Sequence, residues 1–324
     1  MNSGGNSPKG GRGLGKLKVA VLAGGISAER EISLLSGEMV IKHCPRDKYI
    51  PFHLDPKEIF EGKNLASFLN KLKKADVVFI ALHGKFGEDG TIQGFLEILG
   101  IPYTGSDVLS SALAMDKLKS KQLFTFYNIP TPPWQIVEKD KPLPRLKLPV
   151  VIKPQREGSS IGVTIVQTEE ELSEALQRAY QYDPIAIAED YIRGRELSVP
   201  ILDIDSRPTT LPIVEIVPKG KFYDYYHKYT EGATEEIVPA PLEKSVELKV
   251  REIALSAYKA LGCRNFARVD MRLSEDNEPF VLEVNTIPGL TPLSLLPLSA
   301  RAAGISFSRL IDIIIQNALM KMEK

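Results

Sequence analysis

The first third of the chain alternates short apolar runs with helical spacings, and this alternation restricts the fold more than any other feature. Lys18-Val-Ala-Val-Leu-Ala23 is closed by Gly24-Gly25, which predicts a buried strand entering a tight turn. Residues 27–42 follow with helical spacing, placing Ile32, Leu35, Met39 and Val40 on one side. A strand over 49–54, a helix near 65–72, a strand over 76–82 and a helix over 91–99 continue the pattern. Such alternation builds a parallel sheet covered by helices.

Beyond Ala114 the pattern changes. A helix over 116–127 leads into Pro130, Pro132 and Pro133. Two apolar runs, 150–153 and 163–166, flank a polar loop and predict an antiparallel hairpin; a helix over 169–182 and a strand over 185–189 complete an α+β unit. The last unit has strands over 196–202 and 210–217, an aromatic loop at 222–229, and a helix over 245–261 with Gly262 as its cap. A hairpin of 266–273 with 279–284 follows, then helices after Pro292 and after Ser306. The expected organisation is a flexible Gly/Ser-rich leader (1–16) without the apolar stretch of a signal peptide, then three domains. These are a parallel α/β domain (17–114) and two α+β domains (115–205 and 206–324).

Composition excludes several functions. Lys plus Arg and Asp plus Glu both number 41, so no global basic field recruits nucleic acid. Cys44 and Cys263, the two cysteines, are far apart, which argues against a disulfide framework and fits a reducing compartment. No apolar run is long enough to span a bilayer. A dinucleotide fingerprint needs a third glycine where the chain has Glu29, and no G-K-[S/T] forms a phosphate loop. Gly158-Ser-Ser-Ile-Gly162 matches the serine-hydrolase elbow, but the following Val163-Thr-Ile-Val166 favours a strand where that elbow requires a helix. The four histidines are isolated, with no zinc spacing.

The segment richest in chemistry is Arg268-Val-Asp270 followed by Glu283-Val-Asn285. Strand alternation puts Arg268 and Asp270 on one face, and likewise Glu283 and Asn285. If the two strands pair, one guanidinium and three oxygen donors converge, a set suited to Mg²⁺ with phosphates and water completing its shell. A surface hairpin with cross-strand ion pairs is the alternative. The apolar neighbours Phe266, Val269, Met271, Val281, Leu282 and Val284 favour burial, where uncompensated charge is costly. Lys117, Lys153 and Lys228 could clamp phosphates, and the loop 157–162 offers backbone N–H groups that can close over them.

Seven motifs then occur in order: Gly24-Gly-Ile-Ser-Ala-Glu-Arg-Glu-Ile-Ser33, His83-Gly-Lys-Phe-Gly-Glu-Asp-Gly90, Met115-Asp-Lys117, Lys153-Pro-Gln-Arg-Glu-Gly-Ser-Ser160, Phe222-Tyr-Asp-Tyr-Tyr-His-Lys-Tyr229, Arg268-Val-Asp270 and Glu283-Val-Asn-Thr-Ile-Pro-Gly289. The ordered set resembles the D-alanine–D-alanine ligase family, of the ATP-grasp fold. The resemblance implies an ATP-dependent ligation of two D-alanines through a D-alanyl phosphate, releasing ADP and phosphate for peptidoglycan precursors. It implies a cytoplasmic homodimer using two Mg²⁺ or Mn²⁺ ions, with no nucleic-acid or membrane partner. Asp270, Glu283 and Asn285 would hold the metals, and Lys117, Lys153 and Lys228 would contact phosphates. Glu189, Tyr191 and Ile192 would hold adenine, Glu196 the ribose, and Phe222 would border the nucleotide.

By the same resemblance Glu29 would pair with the first D-alanine's ammonium, near His83. Ser159 and Tyr229 would hydrogen-bond toward Glu29 and close the loops, with 155–162 and 220–236 as lids. Ser294 and Leu295 would receive the second D-alanine. Arg268 and the Gly289 N–H would stabilise the oxyanion. Tyr225-Tyr-His-Lys-Tyr229 keeps the tyrosine that accompanies an amine nucleophile; a D-alanine–D-lactate ligase, another ATP-grasp ligase or a non-catalytic nucleotide-binding module are the alternatives.

Overall fold

The structure is a computed structural model describing residues 15–219 and 233–320. β1 (Leu17–Leu22), β2 (Tyr49–Leu54) and β3 (Val77–Ile80) form a parallel sheet in the order β2-β1-β3. Val19 to Leu22 and Val77 to Ile80 are fully or almost fully enclosed, because this sheet is covered on both faces. One face packs against the last helix, Phe307–Met320, whose Leu310, Ile311, Ile314 and Ile315 share a core with Val19, Val21 and Phe79. That core also contains Leu202 and Phe266, so it joins the first sheet to the rest of the fold.

β4 (Trp134–Glu138), β5 (Val150–Pro154), β6 (Thr164–Val166) and β7 (Ile185–Asp190) make an antiparallel sheet, β4-β7-β5-β6, under helix Glu169–Ala179. The remaining strands are β8 (Gly194–Ile204), β9 (Arg207–Thr210), β10 (Val214–Pro218), β11 (Thr234–Ile237), β12 (Phe266–Ser274) and β13 (Pro279–Asn285). They form one antiparallel sheet, β11-β10-β8-β12-β13, with β9 on β8, packed on helix Lys244–Ala260.

Four expectations are corrected. First, β8 pairs only within the last sheet, so the expected break after residue 205 falls between two hydrogen-bonded strands, β8 and β9. Second, the single strand expected over 210–217 is two, separated by a segment containing Pro212. Third, β4 and β11 were not anticipated. Fourth, the first helix begins at Arg30, leaving Glu29 at its N-cap, and its buried side is Ser33, Ser36, Gly37 and Val40, while Leu35 is exposed.

The reason lies in small residues. Ser33 Oγ accepts from Gly24 N at 2.8 Å and donates to Ala81 O at 2.7 Å. A Cβ at Gly37 would lie 2.3 Å from Ala23 Cβ, so the helix rides directly on the residue that follows β1. Gly37→Ala therefore pits a helix-propensity gain of about 1 kcal/mol against overpacking of about 1–3 kcal/mol. Overpacking is expected to win: the urea midpoint should fall at unchanged m-value. A higher midpoint would show that helix and strand separate freely.

Candidate active site

Two cavities lie side by side between the sheets. The first is bordered by Glu29, His83, Glu88, Ser159, Arg268, Asn285, Gly289, Ser294 and Leu295, among others. The second is bordered by Lys153, Glu189, Tyr191, Ile192, Glu196, Asp270 and Arg272, among others. Lys117, Glu157 and Glu283 border both.

The β12–β13 pairing builds the border. Arg268 stands opposite Asn285, and Asp270 opposite Glu283. Arg268 grips Asp270 with a fork, Nε to Oδ1 at 2.8 Å and Nη2 to Oδ2 at 2.7 Å, and Ser198 Oγ donates to Asp270 Oδ1 at 2.7 Å. Lys117, the first residue of helix Lys117–Phe126, lies 3.4 Å from Glu283 Oε2 and donates to the Glu157 carbonyl. Asp116 caps this helix through Lys119 N and accepts from Gln155 Nε2 at 2.6 Å, so the helix start is tied to the end of β5.

In the first cavity Glu29 is buried, and Ser159 donates to its Oε1. Gly84 and Gly158 make room for it: added Cβ atoms would lie 2.9 and 3.2 Å from Glu29 Oε2. Ser159 and Ser160 adopt φ of 48° and 59°, a left-handed bend that turns the loop over the cavity. His83 Nε2 meets Ser36 Oγ at 3.1 Å. Burial lowers the His83 pKa, Glu29 opposing and Arg268 reinforcing that shift. Ser294 precedes helix Leu295–Ala302, and its Oγ accepts from Thr291 N at 3.1 Å.

Glu88 was missed, although it sits inside the His83–Gly90 motif. Burial, reinforced by Glu29, raises its pKa from 4.5 to about 8, against a 2.6 Å hydrogen bond from Gly84 N. A raised folded-state pKa contributes stability that is complete below the unfolded value and lost as pH rises through the folded value. Wild-type protein should therefore lose stability relative to Glu88→Gln between pH 4.5 and about 8. Parallel pH–stability curves for the two proteins would contradict this.

In the second cavity Glu189 is buried between Lys153, 3.0 Å from Oε2, and Lys121, 3.1 Å from Oε1. Burial alone would raise its pKa, but the two lysines outweigh burial and hold it below the usual carboxylate value. Arg272 bonds the Ile192 and Gly194 carbonyls at 3.2 and 2.9 Å, reaches Glu196 at 3.2 Å and lies over the Tyr191 ring. It thus fixes the turn joining β7 to β8, where the second sheet meets the third. Lys121, Arg272 and Ser198 were also missed, because each acts through a partner distant in sequence. Phe222, Lys228 and Tyr229, and most of the second expected lid, lie outside the described residues.

Family models described as "D-ala D-ala ligase N-terminus" and "D-ala D-ala ligase C-terminus" match residues 53–106 and 123–316. The D-alanine–D-alanine ligase of Pelotomaculum thermopropionicum is 44% identical, with 94% of this chain and 97% of that protein covered. The one from Syntrophobacter fumaroxidans is 45% identical, covering 94% and 98%. The chain belongs to the D-alanine–D-alanine ligase family. A solved D-alanine–D-alanine ligase of Bacillus anthracis, complexed with ATP, superposes with a TM-score of 0.82 at 37% identity, covering 95% of this chain and 99% of that one. The ligase of Coxiella burnetii gives 0.79 at 28% identity, with 95% of each chain covered. The fold is thus the ATP-grasp fold of the D-alanine–D-alanine ligases, and the family resemblance seen in the motifs is confirmed.

Proposed function

We propose that the protein joins two D-alanines to D-alanyl-D-alanine at the expense of ATP, supplying a peptidoglycan precursor. The observation that carries this is the shared border: a cavity with amino-acid-sized polar anchors and a cavity with buried cations meet at Lys117, Glu157 and Glu283. The relatives' names and the ATP held by the Bacillus anthracis enzyme support it.

Charge anchors assign the substrates. Glu29, held by Ser159, suits the first D-alanine's ammonium, with His83 beside it. Ser294 and Leu295, which border the same cavity, suit the second D-alanine. A methyl group is worth only about 1–3 kcal/mol in a pocket, so these anchors must orient each alanine. Lys117 and Lys153 suit the phosphates, Glu189, Tyr191 and Ile192 the adenine, and Glu196 the ribose. The family assignment adds Lys228 and Phe222 to the nucleotide and Tyr229 to the Glu29–Ser159 group. It also carries a cytoplasmic homodimer; among the described residues, no helix is long and apolar enough to cross a membrane.

The donor set fits magnesium: Asp270 and Glu283 are cross-strand partners, Asn285 follows on the same strand, and all offer hard oxygens. Two Mg²⁺ ions, or Mn²⁺, held by these residues would supply neutralisation of the phosphates' charge there. In the first step a carboxylate oxygen of the first D-alanine bonds to the γ-phosphorus and ADP leaves. In the second, the amine of the second D-alanine bonds to the acyl carbon and phosphate leaves. The residues supply positioning and electrostatic stabilisation, the main needs of phosphoryl transfer. Arg268 and the Gly289 N–H are assigned to the acyl oxygen as it becomes an oxyanion. The loop 155–162 is assigned to keeping water from the acyl phosphate.

The test is ADP release with ATP, magnesium and D-alanine, the product identified by mass. Release should need D-alanine alone and yield the dipeptide. Release that needs D-lactate as second partner, L-alanine or another acceptor would move the assignment elsewhere in the superfamily.

A further inference from the structure

Lys121 is fully enclosed, with 0% exposure, and it borders neither cavity. A lysine is almost never buried so completely unless it is paired. It lies one turn beyond Lys117 on the same helix, and i, i+4 residues share a helix face. One helix therefore sends two lysines into the molecule: Lys117 to the border of the cavities, Lys121 behind the second cavity. The Lys121 ammonium is 3.1 Å from Glu189 Oε1 and donates to Thr131 Oγ1 at 2.7 Å, and Thr131 donates in turn to the Val281 carbonyl of β13 at 2.8 Å. Lys121 is thus braced from two directions. Glu189 Oε1 is buried, faces this ammonium as an ion pair, and accepts no well-directed hydrogen bond from the protein. A lone pair is left for a donor in the cavity that Glu189 borders.

We infer that Lys121 is a positioning residue that sets which purine triphosphate the enzyme accepts, by holding Glu189 as an oriented, acceptor-only carboxylate. The inference rests on reading the second cavity as the nucleotide site. An ionised carboxylate accepts hydrogen bonds and cannot donate. The base edge it meets must therefore offer an N–H, as the 6-amino group of adenine does, and a 6-oxo group is repelled. Without Lys121, Glu189 keeps one cation, Lys153, in a fully buried place. A buried carboxylate with less compensation takes up a proton. The resulting carboxyl both donates and accepts, so a 6-oxo purine becomes acceptable while the bond to adenine weakens. The present pairing agrees: the two lysines keep the Glu189 pKa low although burial opposes this. The groups acting on Lys121 are Glu189, Lys153 and Glu283, and Glu189 is the main counter-charge.

The test compares ATP with inosine triphosphate, which replaces the 6-amino group by 6-oxo, on the full-length wild type, Lys121→Met, Glu189→Gln and the double variant. ADP or IDP release with D-alanine gives kcat and KM for each. Wild type should favour ATP by roughly 10²-fold in kcat/KM. Lys121→Met should raise the KM for ATP about tenfold, the size of a lost charge-assisted hydrogen bond. It should change kcat at saturating ATP little, leave the KM for D-alanine in place and cut the ATP preference at least about tenfold. In the Glu189→Gln background, Lys121→Met should add nothing to either nucleotide parameter, because Lys121 acts through that carboxylate. If Lys121→Met fails to fold, this second comparison decides. A Lys121→Met protein with wild-type nucleotide preference, or a double variant whose preference departs from that of Glu189→Gln, overturns the role of Lys121. A wild type that turns over neither triphosphate overturns the nucleotide-site reading, and this inference with it.

Discussion

Arg268→Ala is expected to lower kcat for ADP-forming ligation roughly 10²–10³-fold, as loss of an oxyanion donor does elsewhere. The guanidinium borders the first cavity, the one proposed for the amino acids, and is held by a two-point fork on Asp270. Its position is therefore fixed before substrate arrives, which is what gives an electrostatic donor its catalytic worth. Arg268→Lys should recover little, since a point charge on a flexible stem cannot reproduce the planar fork. Steady-state ADP release at saturating ATP and D-alanine decides the matter. Turnover within a few-fold of wild type in Arg268→Ala would remove the residue from the chemistry.

Asp270→Asn is expected to cost more, roughly 10³-fold in kcat/KM, together with a raised magnesium requirement. The substitution keeps the shape of the side chain but removes its charge, and Asp270 serves three partners at once. It accepts from Ser198 and twice from Arg268, and it faces Glu283 across the strand pair. An amide presents a donor where one of these donors now points, so the Arg268 fork is misaligned as well. Ser198→Ala isolates the smaller share: losing one hydrogen bond to a charged group costs about 1.5–3 kcal/mol, some 10- to 100-fold. Magnesium titrations of ADP release should rank wild type, Ser198→Ala and Asp270→Asn in that order. An unchanged requirement in Asp270→Asn would place the metal elsewhere.

The hairpin was legible because strand alternation is a local rule: Arg268 and Asp270 must share a face, and so must Glu283 and Asn285. The register then brings the two pairs opposite each other. The first helix was misread because apolar spacing assumes that the buried side is greasy. Here it is Ser33, Ser36 and Gly37, small residues that let the helix touch Ala23 and bond the ends of β1 and β3. Lys121 was illegible for another reason. Four residues after Lys117 it reads as a solvated lysine, and only the return of β7 beneath the helix supplies Glu189. Sheet membership of β8 was hidden likewise, since partners such as β12 lie far along the chain and leave no local trace.

The thinness of the divide at Lys117, Glu157 and Glu283 has a practical corollary. Under the ligase reading, the carboxylate of the first amino acid on one side faces the γ-phosphate on the other, and the acyl phosphate forms in the cavity that also holds the second amino acid, with no diffusive transit during which it could escape. A single compound with a phosphate mimic at that divide, a purine arm and an amino-acid arm would gather both sets of contacts for one loss of translational freedom. Its affinity should exceed that of either arm by orders of magnitude.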